Sequence, residues 1–384
     1  MKILLVSSSS GSRGGGEVFL LYLGRALAQK GHRVVLWASD DSGMDELSNS
    51  FTSVGEVIRS RAHRPASGPV TALANHFALW REHRIAKEWR RSGADVIHIN
   101  KQHLEDGLEL LGAARLLGKP TLCTIHLTQS ARLRGGPLPG LRDAIVQRAL
   151  QQYPGLVVAV LERRWKELLA FLGVTPKVRL VATGVPLFDL ALRPELRAEK
   201  RAELGLAADE LLFLAVGRLS PQKRPLLFLE EAARIHQAEP RARFAWLGEG
   251  PLAAAWDEAV RARGLHTVAR RLPWQIDVRP SLFAADVYVD VAESGGAPLA
   301  LLEAFSAALP CAVSANFYDE IQLLNAGNSI RLDGGEGWRK AIEGPARLQQ
   351  LSRAARSLAE IHFPLSRMAE HYETLYEVSR RRAA

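Results

Sequence analysis

Two cationic side chains stand close together in the segment 211–225, LLFLAVGRLSPQKRP, and their types suit them to chemistry on an anion. Arg218 directly follows Gly217, and Lys223 comes five positions later. A guanidinium forms paired hydrogen bonds to planar oxyanions, and an ammonium acts as a compact point charge. The pair therefore predicts a polyanionic ligand such as a diphosphate. The alternative interpretation is a solvated loop with ordinary surface charges.

The sequence around these cations predicts that they lie at the edge of a sheet. The apolar run 211–216 indicates a strand buried on both faces, and the spacing of apolar residues after Pro225 indicates a helix. Ligands of open α/β sheets bind at the carboxyl ends of the parallel strands. We therefore expect Arg218 and Lys223 to line a ligand cleft.

A second candidate anion site lies near the start of the chain. A predicted strand, 2–8, runs into a loop that ends in three glycines, 14–16, and a helix follows over about 17–29. Such a turn directs backbone N–H groups and the positive end of the helix dipole toward an anion, although a merely flexible turn has the same composition. The spacing is not G-x-G-x-x-G, and no acidic residue closes the next strand, 33–38, which disfavours a nicotinamide cofactor.

The length and composition of the chain indicate two domains. Its 384 residues, 47% of them hydrophobic, suffice for two buried cores, and strand-like and helix-like segments alternate throughout. The fold class is therefore α/β, with two facing Rossmann-like domains built on parallel sheets. We place the first domain at 1–190 and the second at 191–364, and a C-terminal helix at about 365–384 crosses back to the first domain. Residues 40–68 are predicted to be irregular.

The net charge and the cysteine content restrict the classes of partner that the protein can bind and the compartment in which it is expected. The net charge of +9 favours anionic partners, but no zinc-finger, homeodomain or RNP-like signature supports nucleic acid. No apolar run is long enough to cross a bilayer, and the opening residues are interpreted as a strand rather than a signal peptide. Cys123 and Cys311 lie in apolar runs and are predicted to be buried thiols in a reducing, cytoplasmic compartment.

One segment of the first domain could contact a membrane. Residues 70–91 have a helical pattern in which Phe77, Trp80 and Trp89 stand among five basic side chains. A basic amphipathic helix with tryptophan can lie in the interface of an anionic bilayer, which would place the protein at the inner face of the cell membrane. The alternative is a helix that packs its aromatic residues inward and solvates its charges.

Four segments, taken in order, resemble the retaining glycosyltransferases of family 4, which have the GT-B fold of two facing Rossmann-like domains. They are KILLVSS…GGGEVFLLYLGRALAQKGHRVVL, VGRLSPQKRP, WLGEGP and APLALLEAFSAALPCAVS. The resemblance covers nearly the whole chain and implies an enzyme of the EC 2.4 type that transfers a sugar from a UDP- or GDP-linked donor. The basic first domain favours a cell-envelope or lipid-linked glycan as the acceptor.

The resemblance also implies a role for each matching position. Arg218 and Lys223 would neutralise the diphosphate leaving group, and Glu303 would accept hydrogen bonds from the ribose hydroxyls. His126, at the end of the predicted strand 121–126, would contact the donor sugar, although a lone histidine is often structural. The remaining donor-binding positions are Gly15, Gly16, Gly217, Gly248, Gly250, Gly295, Gly296, Ala297 and Leu302. Such enzymes normally need no cofactor or metal, and the sequence has no D-x-D pair.

Departures from the family pattern leave open whether the protein catalyses sugar transfer. The family usually has a second glutamate eight positions before Glu303, where this chain has Gly295, and Glu293 lies two residues earlier. A longer glycine-rich loop would return Glu293 to the same point, and an exposed loop carboxylate is the alternative. Two other functions therefore remain. One is a non-catalytic protein that binds sugar nucleotides or glycans in a biosynthetic complex, and the other is a sugar-nucleotide epimerase, whose acid–base carboxylates the sequence does not place.

Overall fold

The computed structural model describes residues 1–9, 11, 13–65, 74–135, 137–293, 295–332 and 344–383. The chain divides into two compact units. Unit 1 comprises Met1–Gly184 together with Leu365–Ala384, and unit 2 comprises Val185–Pro364. The border between the units lies a few residues before the 190/191 border expected from the sequence.

Unit 1 is built on a seven-stranded parallel sheet with the strand order β3-β2-β1-β4-β5-β6-β7. Its strands are β1 (Lys2–Ser7), β2 (Arg33–Ser39), β3 (Glu56–Ser60), β4 (Val96–His103), β5 (Thr121–Leu127), β6 (Leu156–Ala159) and β7 (Val178–Leu180). Its α-helices are Gly15–Gln29, Asp45–Phe51, Leu79–Arg91, Leu108–Leu117, Ala131–Arg134, Pro139–Gln152, Glu162–Leu172 and Leu365–Ala383, and residues 74–77 are also helical.

Unit 2 is built on a six-stranded parallel sheet with the order β10-β9-β8-β11-β12-β13. Its strands are β8 (Leu211–Val216), β9 (Ala242–Leu247), β10 (Ala269–Leu272), β11 (Val287–Asp290), β12 (Cys311–Ser314) and β13 (Ile330–Leu332). Its α-helices are Arg193–Glu203, Pro225–Ala238, Ala253–Ala262, Arg279–Ala284, Leu299–Ser306, Ala315–Glu320 and Pro345–His362. Both sheets reverse their strand order beside the first strand, as Rossmann-like folds do.

The predicted α/β alternation is confirmed, with corrections in unit 1. Residues 40–68, expected to be irregular, contain the helix Asp45–Phe51 and the edge strand β3. Arg59 of β3 is partly exposed and bonds Ser39 O (2.8 Å), so β3 lacks the apolar run that marks the central strands. Of the helix expected over 70–91, residues 70–73 lie outside the described part, and a helix runs from Leu79 to Arg91.

The C-terminal helix Leu365–Ala383 belongs to unit 1, which confirms that the chain crosses back. Tyr376 lies within it and is fully buried, and its hydroxyl is 2.7 Å from His98 Nδ1 on β4. The other ring nitrogen of His98 is 2.8 Å from Thr124 Oγ1 on β5. The C-terminal helix starts at Leu365, as expected, because the preceding helix Pro345–His362 ends before Pro364, which has no N–H to continue a helix.

Both cysteines are buried free thiols, and burial raises the pKa of Cys123 to about 12. Thiols in such surroundings are chemically inert. Among the residues that the structure describes, no helix combines the length and apolar character needed to cross a bilayer.

The buried His98 makes the stability of unit 1 depend on pH. Burial lowers the pKa of His98 to about 3, against 6.5 for an exposed imidazole. The unfolded chain binds this proton more readily, so the stability is fully present above pH 6.5 and decreases as the pH falls below that value. We expect the urea midpoint of unfolding to decrease between pH 7 and pH 5, and His98→Gln to flatten that decrease.

The matched control is His266→Gln, which replaces an exposed histidine of unit 2 and is expected to keep the wild-type pH dependence. An unchanged pH dependence in His98→Gln would contradict the assignment of a buried neutral ring.

Candidate active site

The loop after β8 carries the two cations predicted to bind an anion. Arg218 is exposed, and its guanidinium makes no hydrogen bond or ion pair within the described ranges. Lys223 is 25% exposed, and its Nζ lies 3.6 Å from Asp290 Oδ2 and 5.8 Å from the centroid of the Phe317 ring. The loop thus presents Arg218 as an open cation. Lys223 is instead held in place by a carboxylate and by the face of an aromatic ring.

Asp290, which sequence reasoning missed, is the residue that orients Lys223. It ends β11, the strand that pairs with β8, and its side chain is only 5% exposed. Its Oδ1 accepts a hydrogen bond from Ala292 N (2.9 Å), which directs Oδ2 toward the lysine. A buried carboxylate needs an opposite charge, so Asp290 favours one position of the ammonium. The sequence signal was an acidic residue closing the apolar strand DVYVD.

The glycine turn after β9 packs directly on the cation loop. Trp246 Nε1 donates to Gly217 O (2.8 Å). A Cβ atom on Gly248 would lie 2.3 Å from that same oxygen, and the φ of Gly248 is +138°, a conformation that side-chain-bearing residues rarely adopt. A Cβ on Gly250 would lie 2.4 Å from Leu219 O. These glycines allow the two loops to approach closely, and the stem of Lys223 runs past Gly217.

The loop after β11 joins the same group. The backbone N–H of Glu293 donates to Gln222 O (3.1 Å), while the Glu293 side chain is exposed. Gly295 is buried, and a Cβ there would lie 3.3 Å from the ring of Phe317. The position eight before Glu303 thus has no carboxylate and little space for one. Two partly buried residues complete the loop before the next helix: Gly296 and Ala297.

The helix Leu299–Ser306 contains the other predicted donor-binding residues. The Glu303 side chain is 4% exposed. Burial, together with the charges of Asp290 and Glu303, raises the pKa of Tyr288, so this carboxylate is close to β11. Leu302 is 1% exposed and lies among buried neighbours. The structure therefore gathers the cations and the glycine turns around the carboxyl ends of β8, β9 and β11, and Glu303 lies on the helix that follows β11.

Unit 1 brings the other predicted residues together through a side chain that sequence reasoning missed. The helix Gly15–Gln29 starts with an exposed Gly15 and a buried Gly16. Asn100 Nδ2 donates to Gly16 O (3.1 Å), and Asn100 Oδ1 lies 2.8 Å from His126 Nε2. His126 is 5% exposed, and burial lowers its pKa to about 4. The signal for Asn100 was a polar residue at the end of the run DVIHIN, next to the loop that follows the strand.

Across the ranges given above, no group of three or more His, Cys, Asp or Glu side chains is placed to hold a metal ion. The expectation of a metal-free site stays a prediction.

Two Rossmann-like units, each with its loops at the carboxyl ends of parallel strands, define the GT-B class of fold. Consistent with this, the chain is similar to the crystal structure of Anabaena HepE in complex with UDP and glucose. The TM-score is 0.78 and the identity 18%, over 98% of this chain and 99% of that one. The GT-B fold predicted from the sequence is confirmed.

Family models then identify the chain. Residues 13–187 match the model for Glycosyltransferase Family 4, and residues 210–329 match that for Glycosyl transferases group 1. Between them the two models cover most of the sequence, so the chain belongs to glycosyltransferase family 4. The resemblance noted from the sequence motifs is confirmed.

Two curated relatives support this membership. The UDP-Gal:alpha-D-GlcNAc-diphosphoundecaprenol alpha-1,3-galactosyltransferase of Escherichia coli is 30% identical over 240 residues, which is 60% of this chain and 60% of that protein. The D-inositol 3-phosphate glycosyltransferase of Kineococcus radiotolerans is 25% identical over 340 residues, which is 81% of this chain and 75% of that protein. The match thus spans less than two thirds of the E. coli protein.

Proposed function

We propose that this protein is a retaining glycosyltransferase that moves a sugar from a nucleotide-diphosphate donor to a lipid-linked or cell-envelope glycan acceptor. The observation that carries this proposal is the loop after β8, where Arg218 is open and Lys223 is oriented by Asp290. Two cations beside glycine turns suit a diphosphate, because backbone and side-chain donors can surround its oxygens.

The chemistry follows from the charge of the leaving group. When the bond between the sugar and the diphosphate breaks, negative charge develops on the departing phosphate. Cations that are already in position stabilise that charge more in the transition state than in the ground state, which lowers the barrier. The ion pair with Asp290 supplies this preorganisation for Lys223, and Arg218 is free to close on the nucleotide.

The donor in this proposal is a UDP-sugar. HepE was solved with UDP and with UDP-glucose, and the name of the E. coli relative specifies UDP-Gal. In this chain the buried carboxylate of Glu303 accepts hydrogen bonds from the ribose hydroxyls. His126, neutral near pH 7 because of its low pKa, contacts the sugar as a hydrogen-bonding group rather than as a cation.

A second candidate, a non-catalytic sugar-nucleotide-binding protein, is favoured by one observation. Gly295 occupies the position where the family usually has a carboxylate, and it is packed against Phe317. Incubation with UDP-galactose or UDP-glucose and a lipid-diphosphate-linked N-acetylglucosamine separates the two candidates. Sugar transfer or donor hydrolysis supports the enzyme, whereas tight binding of the sugar nucleotide without turnover supports the binding protein.

Replacement of Arg218 tests the diphosphate site. We expect Arg218→Gln to weaken UDP binding about tenfold, because a hydrogen bond to a charged group contributes about 1.5 kcal/mol or more. Isothermal titration calorimetry measures this change. Arg218 is preferred to Lys223 for the test, since loss of Lys223 would leave the Asp290 carboxylate buried without its ion partner.

The matched control is Arg270→Gln, which removes another exposed arginine of unit 2 that has no partner among the described residues. UDP affinity within twofold of the wild type in Arg218→Gln would rule out the proposed diphosphate site.

The reaction is proposed to run without a metal ion or other cofactor. Arg218 and Lys223 supply the positive charge that a divalent cation would otherwise bring to the diphosphate. We expect EDTA to leave the rate of donor turnover unchanged, and added Mg²⁺ or Mn²⁺ to have no effect after dialysis. A rate that EDTA abolishes and Mn²⁺ restores would refute this part of the proposal.

Contact with an anionic membrane is proposed for the start of the helix Leu79–Arg91. Phe77, Leu79 and Trp80 are 69%, 58% and 61% exposed, and Arg81 lies over the Trp80 ring at 5.2 Å. Trp89, which the sequence grouped with them, is instead fully buried, with its ring centroid 5.7 Å from that of Trp37. The exposed aromatic groups, together with the exposed Arg84 and Lys87 of the same helix, suit a bilayer interface that presents a lipid-linked acceptor.

Vesicle sedimentation tests this contact. We expect the protein to bind phosphatidylglycerol vesicles, added salt to weaken binding, and Trp80→Ser to reduce it severalfold, because the ring loses its apolar burial. Val174→Ser, at a residue 96% exposed in the same unit, is the control. Equal binding by Trp80→Ser and the wild type would exclude this surface.

A further inference from the structure

The side chain of Asn100 has only one chemically consistent orientation. Asn100 is fully buried on β4, and its amide bridges two groups, Gly16 O at 3.1 Å and His126 Nε2 at 2.8 Å. A backbone carbonyl can only accept a hydrogen bond, so the Asn100 atom that faces Gly16 must be the NH₂ group. The atom that faces His126 is therefore the carbonyl oxygen of the amide.

This orientation determines where His126 carries its proton. The Asn100 oxygen can only accept, so Nε2 of His126 must carry the hydrogen. Burial keeps the ring neutral near pH 7, since the pKa is lowered to about 4. Nδ1 then holds a lone pair, and it makes no hydrogen bond within the described part of the chain. An edge contact with Phe19, at 5.0 Å between ring centroids, restrains the ring.

We propose that Asn100 is a positioning residue that holds His126 as the Nε2–H tautomer, so that Nδ1 accepts a hydrogen bond from a hydroxyl of the donor sugar. This inference rests on the proposed function and deepens it. A lone pair repels phosphate oxygens and carbonyl groups, so Nδ1 of His126 requires a hydrogen-bond donor, and the donors on a hexose such as glucose or galactose are its hydroxyls. The second bond of Asn100 ties this arrangement to Gly16 at the start of the helix Gly15–Gln29.

Nitrogen-15 NMR of the histidine side chains tests the tautomer directly. In the free wild-type protein at pH 7, we expect the His126 ring to carry a proton on Nε2 and none on Nδ1. His126→Gln identifies the resonance by its loss. A His126 ring protonated on Nδ1 overturns the assignment whether or not any transfer activity is found, so this failure is distinguishable from failure of the proposed function.

Ligand titration tests the hydroxyl contact. UDP-glucose or UDP-galactose is expected to shift the Nδ1 resonance, because accepting a hydrogen bond changes its shielding, whereas UDP, which lacks the transferred hexose, is expected to leave it in place. An Nδ1 resonance that stays unchanged when the sugar nucleotide is bound refutes the contact.

Asn100→Asp separates positioning from a merely structural role. The substitution keeps the size of the side chain but places a carboxylate against His126, which favours a second proton on the ring and removes the Nδ1 lone pair. It also removes the NH₂ group that donates to Gly16 O, so unchanged UDP affinity serves as the check that the fold is kept. We expect NMR to show a doubly protonated ring at pH 7, and donor turnover to fall about tenfold, the equivalent of one hydrogen bond. UDP affinity is expected to stay within about threefold of the wild type. A doubly protonated ring with unchanged turnover would contradict the positioning role.

Discussion

The ion pair between Lys223 and Asp290 is the interaction on which the candidate site of unit 2 depends. The two residues come from the loop after β8 and the end of β11, neighbouring parallel strands whose carboxyl ends lie at one edge of the sheet. A carboxylate that is 5% exposed would be costly without a cation beside it, so the ammonium is restrained from moving into solvent. The glycine turn after β9 and the loop after β11 pack against the same short segment, and their close approach needs residues without side chains.

The two units use different chemistry at the carboxyl edges of their sheets. Unit 2 places cations there, one restrained and one open. In unit 1 the group proposed to contact the sugar is neutral, a buried histidine faced by an amide. A diphosphate requires charge, whereas a sugar requires directional hydrogen bonds from groups that do not attract competing ions. This contrast is the reason for proposing that unit 2 binds the diphosphate and that unit 1 contacts the sugar.

Several features were readable from the sequence because they depend on local pattern alone. Apolar runs such as 211–216 are buried on both faces in a parallel sheet, so the run itself marks the strand, and the loop that follows must lie at the carboxyl edge. The edge strand β3 was missed, since an edge position tolerates polar residues and its apolar pattern is weak. Trp80 and Trp89 were grouped together, either at a membrane or packed inward, although nine positions rotate a helix by about half a turn beyond two full turns. The structure exposes the first and buries the second.

The sequence by itself determined the fold class, the family and the identity of the two cations, because each is encoded in short runs of adjacent residues. Only the tertiary structure decided which side chains of the candidate site contact one another. Asp290 meets Lys223 because β11 pairs with β8, and Asn100 meets both Gly16 and His126 because β4 lies between β1 and β5. Strand order is set by the packing of the whole sheet, so contacts across neighbouring strands cannot be read from either segment alone.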